Sequence, residues 1–180
     1  KKAFELWGTN AIEASQLFER IAAAEPDNWL PTYYAAHTLI IDAFSKLNDS
    51  DALETQLSKA QNFLNDATAI SKENPEIMVM QAMLYTVYVA SDGATYGMTL
   101  SGKILALYAQ AGQIDPTNPR VVFNKAEWEM GSARYFGQDT KPFCKEIERS
   151  LELFANFKPE TEFHPNWGGE RAAEAMKACQ

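Results

Sequence analysis

The sequence predicts an all-α fold, and three observations lead to that prediction. Apolar residues recur at steps of three and four positions, the period of an α-helix, as in Leu53, Leu57, Ala60, Leu64 and Ala67. Asparagine–proline pairs stand where new helices are expected to begin. Alternation of apolar and polar residues, which marks a half-buried β-strand, is hard to find over five or more positions.

Most of the long predicted helices carry an apolar stripe of their own, which is the face expected to pack against a core. In chain order the further stripes are Ala14, Leu17, Phe18, Ile21 and Ala22; Ile77, Met80, Leu84, Val87 and Tyr88; Leu100, Ile104, Leu107, Tyr108 and Ala111; and Phe143, Ile147, Leu151 and Phe154.

Residues that start helices set the predicted boundaries. Pro75 and Pro119 each follow an asparagine N-cap at the first helical position, where the missing N–H of proline costs nothing. Ser50 or Asp51 is the expected cap of the fourth helix, and Thr140 that of the eighth. The predicted helices span 2–8, 10–24, 28–47, 51–71, 75–91, 99–114, 119–135, 141–156 and 169–178, with irregular segments at 91–98 and 157–168.

The ends of the helix pairs repeat along the chain. Pro26, Pro75, Pro116 and Pro159 are separated by 49, 41 and 43 residues. Short connections place neighbouring helices antiparallel, and a pair that cannot bury its own apolar face must stack on the next pair. We therefore expect an α-solenoid of about four stacked antiparallel helix pairs with a short C-terminal helix, forming a single domain over 1–180.

One of these endings carries a family resemblance. Residues 108–119 (YAQAGQIDPTNP) resemble the second-helix ending of a tetratricopeptide (TPR) repeat, and Ala14-x3-Phe18-x2-Ile21-x4-Pro26 fits the same template. The spacing between repeats exceeds the family's usual length of roughly 34 residues, and the first helices lack the Trp-x2-Leu-Gly signature.

The whole chain is also similar to a group of small, exported, bacterial TPR-like proteins. The likeness is carried by residues 18–25, 96–103 and 163–168. It implies a helical-repeat fold and an exported protein, and it brings no catalytic residues.

The charge balance excludes several classes of partner. Sixteen basic residues against 24 acidic ones give a net charge of −8, which repels nucleic acids and anionic membrane surfaces. No run of eighteen apolar residues is present, so no membrane insertion is expected. The expected partner is a basic or largely apolar protein or peptide.

Two motifs imitate catalytic or metal-binding sites. Gly97-x4-Gly102-Lys103 resembles a phosphate-binding loop, but Ile104 replaces the required Ser or Thr. Glu160, Glu162 and His164 alternate as metal ligands do on an extended segment, although a solvated acidic loop is the favoured interpretation. No catalytic residue, cofactor or metal site is predicted, and the chain is not expected to be an enzyme.

Two functional hypotheses follow. The main one is an interaction scaffold that binds a protein or peptide through a concave helical surface. Its candidate binding residues are Trp29, Tyr33, His37, Asn124 and Trp128. The alternative is a small-molecule carrier or weak hydrolase that uses a pocket near 91–98 and 157–168, which a deep cavity with converging polar groups would favour.

The two cysteines and the first residue bear on location. Cys144 and Cys179 both lie on apolar helix faces, so either they form a disulfide or they are two buried free thiols. The chain begins at Lys1 without methionine, which together with the resemblance predicts a periplasmic or secreted protein whose signal peptide has been removed.

Overall fold

The computed structural model describes residues 1–179, and every regular element in that range is an α-helix. The predicted all-α fold is therefore confirmed, including the short helix near the C-terminus. The helices are α1 (Lys2–Leu6), α2 (Ala11–Ala24), α3 (Trp29–Ala43), α4 (Ser50–Ile70), α5 (Pro75–Ser91), α6 (Gly93–Ile114), α7 (Pro119–Tyr135), α8 (Lys141–Asn156) and α9 (Gly169–Lys177).

Asparagine caps begin α2, α3, α5 and α7, each accepting a hydrogen bond from a backbone N–H of the first turn. One predicted cap is wrong by one residue, and another stands at the predicted position without a side-chain bond. Asp49, rather than Ser50 or Asp51, accepts the bond from the Ala52 N–H, at 3.2 Å. Thr140 makes no side-chain cap bond, because Asp139 accepts from the Lys141 N–H instead.

The largest boundary error concerns the predicted irregular segment 91–98. In the structure α6 begins at Gly93, six residues before the predicted start, so this segment is mostly helix. The carboxylate of Asp92 accepts bonds from the Thr95 N–H (3.0 Å) and hydroxyl (2.6 Å), which starts the new helix after a single non-helical residue. The whole phosphate-loop imitation, 97–103, consequently lies inside a helix.

The chain divides into two compact units, Lys1–Leu107 and the residues from Tyr108 onward. In the first unit α3 is central, since it packs against α2, α4 and α5. Eleven of its fifteen residues are buried. Hydrogen bonds hold its neighbours in register: the Ser15 hydroxyl of α2 and the Gln56 amide of α4 donate to α3 carbonyls at 3.1 and 2.7 Å.

The second unit is built from the end of α6 and from α7, α8 and α9. Its apolar core comprises Phe123, Ala126, Met130, Ile147 and Ala172. Helix α8 packs against both α7 and α9. A disulfide between Cys144 of α8 and Cys179, just past α9, joins the last two helices.

Candidate ligand-binding site

The predicted residues of α3 form part of an aromatic core. Tyr33 and His37 are buried, with 0% and 2% of their surface exposed, and Trp29 is half-buried. Ring centroids lie 5.4 Å apart for Trp29 and Tyr33, and 5.8 Å apart for Tyr33 and His37. Trp7 lies edge-on against His37 at 4.5 Å. Tyr33 and His37 therefore belong to the core, and of the three predicted α3 residues only Trp29 retains exposed surface for a partner.

The other two predicted residues lie in the second unit. Asn124 is buried, and its amide donates to the Arg120 carbonyl one turn earlier in α7, at 2.7 Å. Trp128 is half-buried. The candidate set is thus divided between the two units, and its role in binding stays a prediction.

The segment 157–168 holds the second histidine. His164 Nδ1 lies 3.9 Å from a Glu160 carboxylate oxygen, and the centroid of its ring lies 6.0 Å from that of Phe157. The guanidinium of the buried Arg120 covers Phe157, 4.4 Å from the ring centroid. Within residues 1–179 no three His, Cys, Asp or Glu side chains converge as a metal site would require.

Of the two cysteine alternatives, the structure has the disulfide. The Cα atoms of Cys144 and Cys179 are 5.8 Å apart, within the span that a disulfide bridges, and the S–S distance is 2.11 Å. Phe143, Leu151 and Met176 pack around the same core cluster. The bridge therefore holds α9 against an apolar surface instead of exposing a reactive thiol.

A cleft of about 290 Å³ opens in the first unit between the end of α1 and the second half of α3. Trp7, Ala11 and Ile41 give it apolar walls. Asp42, which also lines it, is ion-paired with Lys46 and accepts a hydrogen bond from Gln56 at 2.9 Å. The volume is just below the range typical of small-molecule sites.

A second group of polar and aromatic side chains lies where α4, α5 and α6 meet. The Tyr88 ring of α5 lies 5.1 Å from that of Tyr96 on α6, and the Glu54 carboxylate of α4 is near enough for its negative charge to act on the Tyr88 phenol. Tyr88 and Tyr96 are half-buried, whereas Glu54 is exposed. We call these three residues the tyrosine cluster.

The electrostatics of the tyrosine cluster favour a neutral phenol. Burial, and after it the negative charge of Glu54, together raise the pKa of Tyr88 to about 12. The sequence does not predict this cluster, because Glu54 is 34 positions from Tyr88 and no spacing rule joins them. A weak signal was present: Tyr88 and Tyr96 lie on either side of the turn between two predicted helices.

Comparison with known proteins gives a likeness in fold. No family model matches the chain, and no curated protein matches it by sequence. Among solved structures, the HusA haemophore from Porphyromonas gingivalis matches with a TM-score of 0.83 and 24% sequence identity. The match covers 96% of this chain and 84% of the haemophore chain. At that identity the likeness establishes the fold.

This finding corrects the main functional hypothesis. A haemophore carries haem, a small molecule, so the predicted scaffold for a protein or peptide partner is wrong. Of the two hypotheses, the likeness favours the alternative, a small-molecule carrier. The pocket assigned to that alternative also changes, because the predicted loop at 91–98 is the start of α6.

Proposed function

We propose that this chain is a non-enzymatic carrier of haem or of a closely related iron tetrapyrrole. The observation that carries the proposal is the likeness in fold to a haemophore over 96% of the chain. A likeness of this extent includes the elements on which a binding surface would be built, as well as the core.

The side-chain chemistry of the described residues supports a carrier of this kind. Proteins bind haem iron through His, Cys, Met or Tyr. Both cysteines are in the disulfide, which leaves two histidines, six methionines and seven tyrosines as possible ligands. The net charge of −8 argues that apolar contacts and iron ligation, more than pairing of the propionates with basic residues, would supply the affinity.

We also propose that the protein is exported and that its helices are TPR-type repeats. The disulfide supports export, because such bonds persist in oxidising compartments. No helix within residues 1–179 is long and apolar enough to cross a bilayer. The repeat assignment is supported by the Asn-capped first helices α3, α5 and α7 and by the packing of α3 on α5.

An absorption titration tests the proposed function. Ferric protoporphyrin IX (hemin) is added to the protein, and the Soret band is followed in parallel with an unrelated acidic helical protein of similar size. A carrier is expected to shift the band and to saturate at one hemin per chain. A spectrum identical to that of hemin with the unrelated protein would contradict the proposal.

A further inference from the structure

We propose that the cleft of the first unit, between the end of α1 and the second half of α3, binds a small primary amine in its ammonium form. The carboxylate of Asp42 accepts a hydrogen bond from the ammonium group, and the apolar body of the ligand lies against Trp7, Ala11 and Ile41. The inference goes beyond the proposed carriage of haem and does not depend on it.

The size and walls of the cleft suit a small ligand with an apolar body. Its volume of about 290 Å³ lies just below the range of drug-sized ligands, so it suits a smaller molecule. Ile41, one of its apolar walls, is 40% exposed although most of α3 is buried. A ligand that covers Ile41 would remove this apolar surface from water, which favours binding.

The indole wall of the cleft is held in place by other rings of the first unit. The centroid of the Trp7 ring lies 5.9 Å from that of Phe4 in a stacked arrangement. It lies 5.6 Å from Tyr34 and 4.5 Å from His37, both edge-on. A wall that is already ordered lowers the entropic cost of binding. Indole is also the side chain whose ring face attracts organic cations most strongly.

The hydroxyl groups of the cleft already donate their protons within the protein. The Thr38 hydroxyl donates to a carbonyl one turn earlier in α3 at 3.0 Å, and the Ser45 hydroxyl donates to the Asp42 carbonyl at 2.7 Å. The Thr9 hydroxyl makes a longer bond of 3.4 Å to a carbonyl of α1. The oxygens of these hydroxyls remain as acceptors. An ammonium group complements them, because it has three N–H donors and no acceptor.

Asp42 provides the strongest acceptor in the cleft. Lys46 and Gln56 both donate to its Oδ2, and the Gln56 amide also donates to the Leu39 carbonyl at 2.7 Å. These bonds hold the carboxylate in place, and no hydrogen bond within residues 1–179 reaches its Oδ1. Among the described residues that line the cleft, Asp42 alone carries a charge. Its Oδ1 is therefore the oxygen to which a ligand ammonium would donate a charge-assisted hydrogen bond.

Lys46 limits the strength of this interaction. Its ammonium is ion-paired with Asp42 and donates to the Gln56 side-chain oxygen at 2.9 Å, but Lys46 is not among the residues that line the cleft. Its positive charge opposes the approach of a second cation to the same carboxylate. Removal of the Lys46 charge should therefore strengthen the binding of an amine, whereas removal of the Asp42 charge should weaken it.

The experiment uses 2-phenylethylamine and its neutral counterpart 2-phenylethanol as probes, which are similar in size and differ in charge. Each is titrated into ¹⁵N-labelled wild type, Asp42→Asn and Lys46→Met, with Asp27→Asn and Lys72→Met as controls that change the same charges at exposed positions. Amide chemical shifts report both the affinity and the place of binding. Circular dichroism checks that each variant is folded.

We expect the wild type to bind the amine at least fivefold more tightly than the alcohol, with shifts concentrated in 7–11 and 38–45. Asp42→Asn should weaken the amine by about tenfold and the alcohol by less than threefold, because it replaces a charge-assisted hydrogen bond. Lys46→Met should strengthen the amine by about threefold or more and leave the alcohol unchanged. Both controls should behave as the wild type.

Four results would overturn the inference. The first is a wild type that does not bind the amine, and the second is one that binds it no more tightly than the alcohol. The third is a set of shifts centred outside the cleft. The fourth is an affinity for the amine that responds to Lys46→Met no more than to Lys72→Met. The first three are read from the unsubstituted protein, so they decide the matter even if Asp42→Asn does not fold.

Discussion

At the scale of single residues, the tyrosines of this chain differ in what surrounds their hydroxyl groups. Tyr108 is buried, and burial together with the charge of Glu127 raises its pKa far above the ordinary value. Tyr88 is half-buried, and its pKa is raised to about 12 by burial and by Glu54. Tyr135 is 77% exposed. Each of the first two phenols is therefore stabilised in its neutral form by the fold.

This difference predicts a loss of stability in alkaline solution. Between pH 10 and about 12 the unfolded chain loses the proton of Tyr88 while the folded chain keeps it, so the free energy of unfolding falls as pH rises. Below pH 10 the phenol is neutral in both states, and the contribution is fully present. When the free energy of unfolding is measured by urea denaturation, it should fall less steeply with pH in Tyr88→Phe than in the wild type. In Tyr135→Phe it should fall as steeply as in the wild type. Equal slopes in wild type and Tyr88→Phe would contradict the raised pKa.

A second residue-scale prediction concerns the core of the second unit. Ile147 has no exposed surface there, while Ile114 is 44% exposed at the end of α6. Ile147→Ala should lower the free energy of unfolding by about 2–5 kcal/mol, because it removes buried methyl groups and leaves a cavity. Ile114→Ala should change it by about 0.5 kcal/mol or less. Similar losses at both positions would mean that this core is packed differently.

The periodicity of the sequence was enough to place Ile147 and Tyr108 in apolar stripes, and both are buried. It was not enough to find the tyrosine cluster, because contacts across three helices depend on helix register. For His37 the sequence favoured a packed or rim position, and the side chain is buried, but its neighbours were not predictable. One of these neighbours is Trp7, which lies just after the short helix α1 and belongs to no apolar stripe.

At the scale of helices, most boundaries follow from local chemistry. The starts of α5 and α7 are at the predicted residues, since an Asn-Pro pair both caps a helix and fixes its first turn. The observed start of α6 differs from the predicted one. Glycines at 93, 97 and 102 lower the helix propensity of this segment, so its sequence does not indicate a helix, whereas in the structure the Asp92 cap begins one at Gly93. The observed end of α3 also differs from the predicted one. The helix ends at Ala43, four residues before the predicted end, and the Ser45 hydroxyl donates to the Asp42 carbonyl at 2.7 Å just after it.

The disulfide gives a prediction at this same scale. It closes a loop of 35 residues and joins α9 to α8, which should contribute roughly 3–4 kcal/mol of stability. Reduction should therefore lower the melting temperature and speed hydrogen exchange in Gly169–Lys177 more than in α3. The double variant Cys144→Ser/Cys179→Ser is the control, since reductant should not affect it. Unchanged exchange in α9 after reduction would show that apolar packing alone holds this helix.

At the scale of the whole molecule, fold and function were predictable to different degrees. Helical period and proline spacing were sufficient for the all-α class, because both are local properties of the chain. The class of ligand was not, because aromatic stripes such as Trp29 and Tyr33 have the same pattern in a core and in a binding groove. The likeness to the haemophore replaced the scaffold hypothesis with that of a carrier.

Native mass spectrometry of the chain mixed with an equimolar amount of hemin tests the proposed carrier most directly. The disulfide-bonded protein should appear predominantly at the mass of one chain plus one hemin, and the species should persist as collision energy rises to that needed for a known haem protein measured alongside. Three results would contradict the proposed carrier function: detection of the protein mainly without hemin, loss of hemin at the lowest collision energies, or attachment of a random number of hemin molecules per chain.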